Sequence, residues 1–309
     1  MMDGILIVDK PDGMTSHDVV AKVRRLFRTR RAGHAGTLDP FATGVLVVCL
    51  NQATRLAGFL TGEEKEYVAT MRLGFATDTG DLTGAPLGPI EDARAITADQ
   101  AAAALAHFRG RIEQIPPMYS AKKVGGVKLY EMARRGETIE RAPIEIEIRE
   151  LELCEPIESA IPGDPITRDL SFRVVCSSGT YVRTLAEEIG RSLGIGAHLV
   201  RLRRTRAGRC EIHRAFGLEQ LASLAEAERL GETLIPMAEA VSLPAIPLTP
   251  AECKDVSHGR SIPRNGGWRH GEQAKLCDAH QRLIAIAVFD AEKLLWQPKV
   301  VFAAAAAAH

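Results

Sequence analysis

The sequence predicts an α+β fold. Residues 1–242 form a large domain on a central mixed, mostly antiparallel sheet with a cleft, residues 243–303 a small β-rich domain, and 304–309 a tail. Three observations carry this. Apolar and polar residues alternate over 66–73, 144–148 and 170–176, the period of a half-buried strand. Between such runs, apolar residues recur at helical spacing, as at Val19, Val20, Val23, Leu26 and Phe27. Beyond Leu243 only short strand patterns follow, at 274–277, 283–289 and 300–302.

Taken in order, residues 4–8 read as a short buried strand and Lys10-Pro11-Asp12-Gly13 as a turn. Ser16 is the expected N-cap of the first helix. Lys22, Arg24, Arg25, Arg28, Arg30 and Arg31 make its opposite face and exit basic. Asp39 precedes Pro40, which biases its backbone towards extended geometry, and Gly33, Gly36 and Gly44 surround it. Residues 45–50 read as a buried strand and 53–60 as a short helix. The strand 66–73 turns Tyr67, Ala69, Met71 and Leu73 to one side, and 78–81 is a polar loop.

Thr97-Ala98-Asp99-Gln100 is a capping box that opens a helix to Arg109, with Gly110 ending it. A basic protruding segment spans 116–138, with Gly125-Gly126 as a two-residue hairpin turn. Pro156, Pro162, Gly163 and Pro165 mark 155–168 as a loop. Ser177-Ser178-Gly179-Thr180-Tyr181-Val182-Arg183 turns a strand into a helix that ends at Gly194. A strand from Gly196 then runs through a second arginine block at 201, 203, 204, 206, 209 and 214. A helix over 218–230 precedes a proline-punctuated linker.

The 309 residues are 46% hydrophobic and 25% charged, the composition of a folded globular chain. Net charge is zero, yet two basic blocks and a separate glutamate-rich stretch can give a neutral protein a locally positive surface. Six widely spaced cysteines without a C-x-x-C pair argue against a zinc knuckle and for a reducing cytoplasm. No apolar run approaches the roughly 20 residues of a membrane span, and no leader pattern is visible. H-E-x-x-H, the P-loop, G-x-G-x-x-G and a nucleophile elbow are all missing, so no metal, nucleoside triphosphate or dinucleotide is implied. What remains is one aspartate on a rigid turn, a strand tyrosine, and Gly179-Thr180-Tyr181-Val182-Arg183 at a helix start. By composition alone these also fit a surface turn, a core tyrosine and an ordinary helix-start arginine.

Order along the chain is more specific. Gly33-His34-Ala35-Gly36-Thr37-Leu38-Asp39-Pro40 resembles the catalytic motif of the TruB family of tRNA pseudouridine synthases. Four further segments resemble that family's motifs in sequence: Val8 to Ser16 around Lys10-Pro11, Lys65-Glu66-Tyr67, Ile115 to Ala121, and Cys176 to Thr184. Gly196-Ala197-His198-Leu199 to Arg204 resembles the strand that follows. The resemblance implies a pseudouridine synthase fold with a PUA-like β-barrel at its end. It implies isomerisation of the uridine at position 55, in the T loop of tRNA, by extrusion of the base. Asp39 is then the catalytic carboxylate and Arg183 its partner. Tyr67 stacks on the uracil with its hydroxyl at the C5 proton, and Tyr181 and Leu202 wall the pocket. His34 fills the space of the extruded nucleotide, and Lys10 and Pro11 support the loop. Arg55 stands where many members carry lysine; at a phosphate contact the charge survives and the geometry changes.

No cofactor is expected, because the reaction is redox-neutral. The expected partner is tRNA, gripped by the arginine blocks and the protruding segment, for a cytoplasmic monomer needing no protein partner and no membrane. The alternatives are a tRNA-folding chaperone and a related synthase for another RNA, guide-dependent relatives included. A retaining glycosidase needs paired carboxylates, and only one is borne by a motif.

Overall fold

The computed structural model describes residues 2–302 apart from 121, 134, 138, 155–157, 162–163 and 265. In chain order the large unit contains β1 (Gly4–Lys10), α1 (Ser16–Leu26), β2 (Ala32–Ala35), β3 (Thr43–Leu50), β4 (Lys65–Leu73), α2 (Ala98–Ala106), β5 (Gly110–Gln114), β6 (Ile144–Leu153), β7 (Asp164–Cys176), α3 (Val182–Ser192), β8 (Ala197–Ala207) and α4 (Leu218–Glu226). The main sheet runs β1-β3-β8-β4-β7-β6-β5. Its pairs are antiparallel except β3 with β8, which run parallel where Arg203 and Arg204 face Thr43 and Gly44. The α+β class and the mixed, mostly antiparallel sheet are as expected.

The topology itself creates the place for a site. β1 takes one edge of β3 from Gly44 to Leu50. The other edge is divided: β2 pairs with Val47 to Leu50, and β8 takes over at Thr43 and Gly44. The chain joining β2 to β3 must therefore leave the sheet at the seam between β2 and β8. That chain is the segment 36–42, with Asp39 in its middle.

Both faces of β1 and β3 are covered. Leu6, Val8, Leu46 and Val48 pack with Val19, Val23 and Leu221 from α1 and α4. Ile5, Ile7, Val45, Val47 and Cys49 pack on the other side with Leu56, Leu60, Val241 and Phe302. A strand buried on both faces is apolar throughout, which is why 4–8 and 45–50 read as runs and β4 reads as an alternation. The tail of the described chain is thus part of the core beneath β1 and β3.

A second sheet follows, with strands β9 (Ala245–Pro247), β10 (Ile262–Pro263), β11 (Gln273–Cys277), β12 (Leu283–Asp290) and β13 (Leu295–Val301), and a helix α5 (Pro250–Ser257). Its order is β9-β11-β12-β13-β10, a curled half-barrel around Val256, Leu276, Phe289 and Trp296.

Several sequence boundaries moved for local reasons. Thr15, not Ser16, caps α1: its hydroxyl accepts from the Asp18 amide, and Asp18 answers to the Thr15 amide at 3.0 Å. The α2 helix stops at Ala106, and Gly110 opens β5. α4 stops at Glu226, because Glu228 adopts a left-handed backbone. Residues 158–161 and 164–169 form a hairpin where a loop was expected; a ladder at a sheet's margin tolerates proline. Gly125 and Gly126, both at positive φ, join two paired strands, Lys123–Val124 and Val127–Lys128, as the two-residue turn requires. No helix among the described residues is long and apolar enough to cross a membrane.

Candidate active site

Asp39 is held by contacts that come from three directions. From the N-terminal side, the buried Lys10 ammonium donates to the carbonyls of Pro40 at 2.9 Å and Ala42 at 2.7 Å, and to that of Pro11 at 2.9 Å. The Ser16 hydroxyl donates to the Leu38 carbonyl and accepts from the Leu38 amide at 2.9 Å, which is why Ser16 is buried and not free to cap. The Gly13 amide donates to the Pro40 carbonyl. Lys10 and the turn after it therefore grip the loop on both sides of Asp39.

From beneath, Arg204 of β8 sends its guanidinium under the loop. Its Nε donates to the Val45 carbonyl at 2.7 Å and its Nη2 to the Gly36 carbonyl at 3.0 Å. The Arg204 backbone also fills the space beside Gly44: a Cβ there would lie 2.2 Å from the Arg204 carbonyl oxygen. With φ of 97° as well, position 44 accepts only glycine.

From the far wall comes Arg183, in the first turn of α3. Its Nε lies 2.9 Å from Asp39 Oδ2. Its other nitrogens donate to the carbonyls of Thr79 at 2.8 Å and Tyr119 at 2.6 Å, and Asp81 Oδ2 stands 3.7 Å away. Asp81 is buried and its Oδ1 is fixed by Thr79 and by the Thr83 amide and hydroxyl. A cation at a helix N-terminus opposes the helix dipole, and the two carboxylates supply what offsets that. Arg183 is thus an almost wholly enclosed guanidinium between two acids.

Around this pair lies a cleft of about 250 Å³. Thr37, Leu38, Asp39, Lys65, Tyr67, Ser120, Tyr181, Leu202 and Arg204 line it. The Asp39 side chain is a third exposed, so it sits at the cleft's surface and not behind it. Burial raises its pKa, Asp81 adds to the rise, and Arg183 opposes it. Tyr67 and Tyr181 are both pushed up by burial and carry neutral phenols. Lys65 is lowered to about 8 by burial and by Arg204. Tyr181 is oriented through its backbone: Gln114 accepts from its amide at 2.8 Å and donates to its carbonyl at 3.1 Å.

The remaining sequence candidates sit around this cleft or away from it. His34 is on β2, two residues before Gly36, with its ring 5.2 Å from that of His17 and nearly perpendicular to it. Burial, His17 and Arg204 lower its pKa to about 4, so it is a neutral imidazole. Arg55 lies elsewhere: it donates to the Val301 carbonyl and its guanidinium stands 5.6 Å over the Phe302 ring, joining the large unit to the end of the second sheet.

Asp81 and Gln114 shape the site and were not singled out in the sequence, and Arg204, expected in the block that grips tRNA, is instead buried under the Asp39 loop. Asp81 read as part of a polar turn and carried no signal. Arg204 did carry one, since strand alternation puts it on the face of Leu202, already assigned to the pocket.

Residues 24–182 match the TruB family pseudouridylate synthase N-terminal domain, and residues 183–242 the tRNA pseudouridylate synthase B C-terminal domain. Among curated proteins, tRNA pseudouridine synthase B of Thermobifida fusca (strain YX) is 45% identical over 307 residues, covering 98% of this chain and 99% of that one. The enzyme of the same name from Mycobacterium sp. (strain KMS) is 47% identical, covering 85% of each. Among solved structures, an archaeal box H/ACA sRNP Nop10-Cbf5 complex contains a chain with TM-score 0.72 and 28% identity, covering 97% of this chain and 86% of that one. A Cbf5-Nop10-Gar1 complex gives TM-score 0.75 at 29% identity, covering 97% and 85%. With its family model spanning half the chain, and with relatives of this identity along nearly the whole length, the chain belongs to the TruB family of pseudouridylate synthases.

Proposed function

We propose that this protein isomerises uridine 55, in the T loop of tRNA, to pseudouridine. The observation that carries the reading is the enclosed Arg183 guanidinium aiming the half-open Asp39 carboxylate into a cleft walled by Tyr67, Tyr181 and Leu202. Relatives named tRNA pseudouridine synthase B support tRNA as the substrate. A stacked base cannot reach such a cleft, so the nucleotide is extruded into it. The N1–C1′ bond breaks, the uracil turns, and a C5–C1′ bond forms. The proton lost from C5 balances the one gained at N1, so substrate and product are isomers. Asp39 is the nucleophile or the anionic stabiliser at the sugar. Tyr67 offers a flat neutral ring for the uracil, and Leu202 and Tyr181 close the sides. Lys10 and Ser16 keep the loop fixed while this happens.

We read the enzyme as a cytoplasmic monomer that works on tRNA without a protein partner. The basic hairpin from Lys123 to Lys128, which follows the cleft-lining Ser120 in the chain, supports direct binding. The structural likeness to chains found in H/ACA particles favours one rival, a synthase that needs partners and acts on another RNA. Tritium release from C5-labelled uridine tests both, using purified chain alone and tRNA transcripts with one candidate uridine each. Release at position 55 alone is expected. No release without an added protein would overturn the stand-alone reading, and release from the Asp39→Asn protein would remove Asp39 from the chemistry.

A further inference from the structure

The two basic blocks look alike in sequence and differ in the fold. In the second, Arg203 pairs with Asp9 at 2.8 Å, Arg206 with Glu64 at 2.7 Å and Arg214 with Glu239 at 2.8 Å. Arg204 is buried under the loop, and Arg201 and Arg209 are the two of this block that are exposed without an ion pair among the described residues. In the first, Lys22, Arg24, Arg25, Arg28, Arg30 and Arg31 are all exposed, and none makes an ion pair among the described residues. The carboxylate nearest on α1, Asp18, is engaged in the helix cap.

This unpaired surface begins at the site. Ser16 is bonded to Leu38, beside Asp39, and His17 meets His34 ring to ring. His17 and Arg24 are seven residues apart, on one side of the helix, about 10 Å along it. A strand of phosphates leaving the cleft over His17 would run along a row of cations that no described residue neutralises.

We propose that the exposed face of α1 and its exit to β2 is where the phosphodiester backbone beside the extruded nucleoside is seated, and that Arg203, Arg204, Arg206 and Arg214 of the second block are structural. The proposal rests on tRNA being the substrate. It differs from a general positive surface in assigning the work to the first block and four engaged arginines of the second to the fold. An acidic polypeptide would match the same charge, but the continuity with Asp39 and His34 favours the substrate's own backbone.

The test compares tRNA binding by the full chain across a potassium chloride series, read by fluorescence anisotropy. In the Arg24→Gln/Arg25→Gln/Arg28→Gln protein, Kd at about 0.1 M salt rises about tenfold or more, and the slope of log Kd against log salt flattens by about two to three. The single-turnover rate at saturating tRNA stays within about twofold. The matching lysine variants recover the slope, which a folding defect would not allow. Arg206→Gln/Arg214→Gln leaves the slope as it was.

Equal slopes for the two sets of variants, or an unchanged Kd in the first set, would overturn the assignment. So would unchanged tRNA affinity with loss of polyglutamate binding, which would make this a surface for an acidic protein. If the unsubstituted chain binds tRNA with the expected asymmetry but makes no pseudouridine, the surface stands and the catalytic reading falls.

Discussion

Arg204 donates from β8 to the carbonyl of Gly36 at 3.0 Å, across the seam where β2 leaves the sheet. The loop that carries Asp39 therefore rests on a buried guanidinium from a strand that lies over 160 residues later in the chain. Replacing it by methionine keeps much of the volume and removes the donors to Gly36 and Val45. Stability is expected to fall by about 1–3 kcal/mol, the cost of leaving buried carbonyls without partners. The single-turnover rate falls about 100-fold through misplacement of the carboxylate, while tRNA affinity is kept. Chemical denaturation and rapid-quench kinetics on the Arg204→Met protein check both; an unchanged rate would mean the loop holds itself.

Asp81 stands behind Arg183, with one oxygen fixed by Thr79 and Thr83 and the other 3.7 Å from the guanidinium. Asp81→Asn preserves shape and removes charge. Arg183 then has Asp39 as its remaining ion-pair partner, and its position relaxes. The expected result is a rate loss of about 10- to 100-fold at saturating tRNA with little change in Kd. A loss in Kd alone would place Asp81 in tRNA binding instead.

Burial raises the Asp39 pKa and Arg183 counters it. If Asp39 acts as the anion, the rate falls as pH drops through a midpoint above the ordinary carboxylate value of about 4. Removing the cation removes a term that favours ionisation, so Arg183→Gln moves the midpoint to still higher pH. Single-turnover rates between about pH 5 and 9 measure this. A midpoint that moves to lower pH would assign the limb to another group.

Lys10 is wholly buried, and burial lowers its pKa from 10.5 to about 8. Between those values the unfolded chain holds a proton that the folded chain has shed. Stability therefore rises with pH across that window, by on the order of 3 kcal/mol at most, and not below about 8. Lys10→Met should abolish the rise attributable to this group, seen in urea midpoints at pH 7.5 and 10. At the lower pH the same variant tests the loop, since Pro40 and Ala42 lose their donor.

Much of the architecture was legible because the signals are local. Alternation in β4 and β7, the capping box at Thr97 and the paired glycines at 125 and 126 each act within a few residues. Asp39 was legible for a similar reason: a carboxylate before proline among glycines is a feature of one short stretch. Ser16 shows where that ends. As the first polar residue before an apolar helix it reads as a cap, yet its hydroxyl is claimed by Leu38, and Thr15 takes the role.

The chain by itself determined most of its longer strands and helices and the run of residues that reaches the cleft. Only the tertiary structure decided which charges work together. Arg183 lies between Asp39 and Asp81, Arg204 lies inside, and Arg28 lies outside with no partner among the described residues. The reason is physical: a guanidinium's role depends on what desolvates and faces it, and those neighbours come from distant strands brought together at the β2–β8 seam.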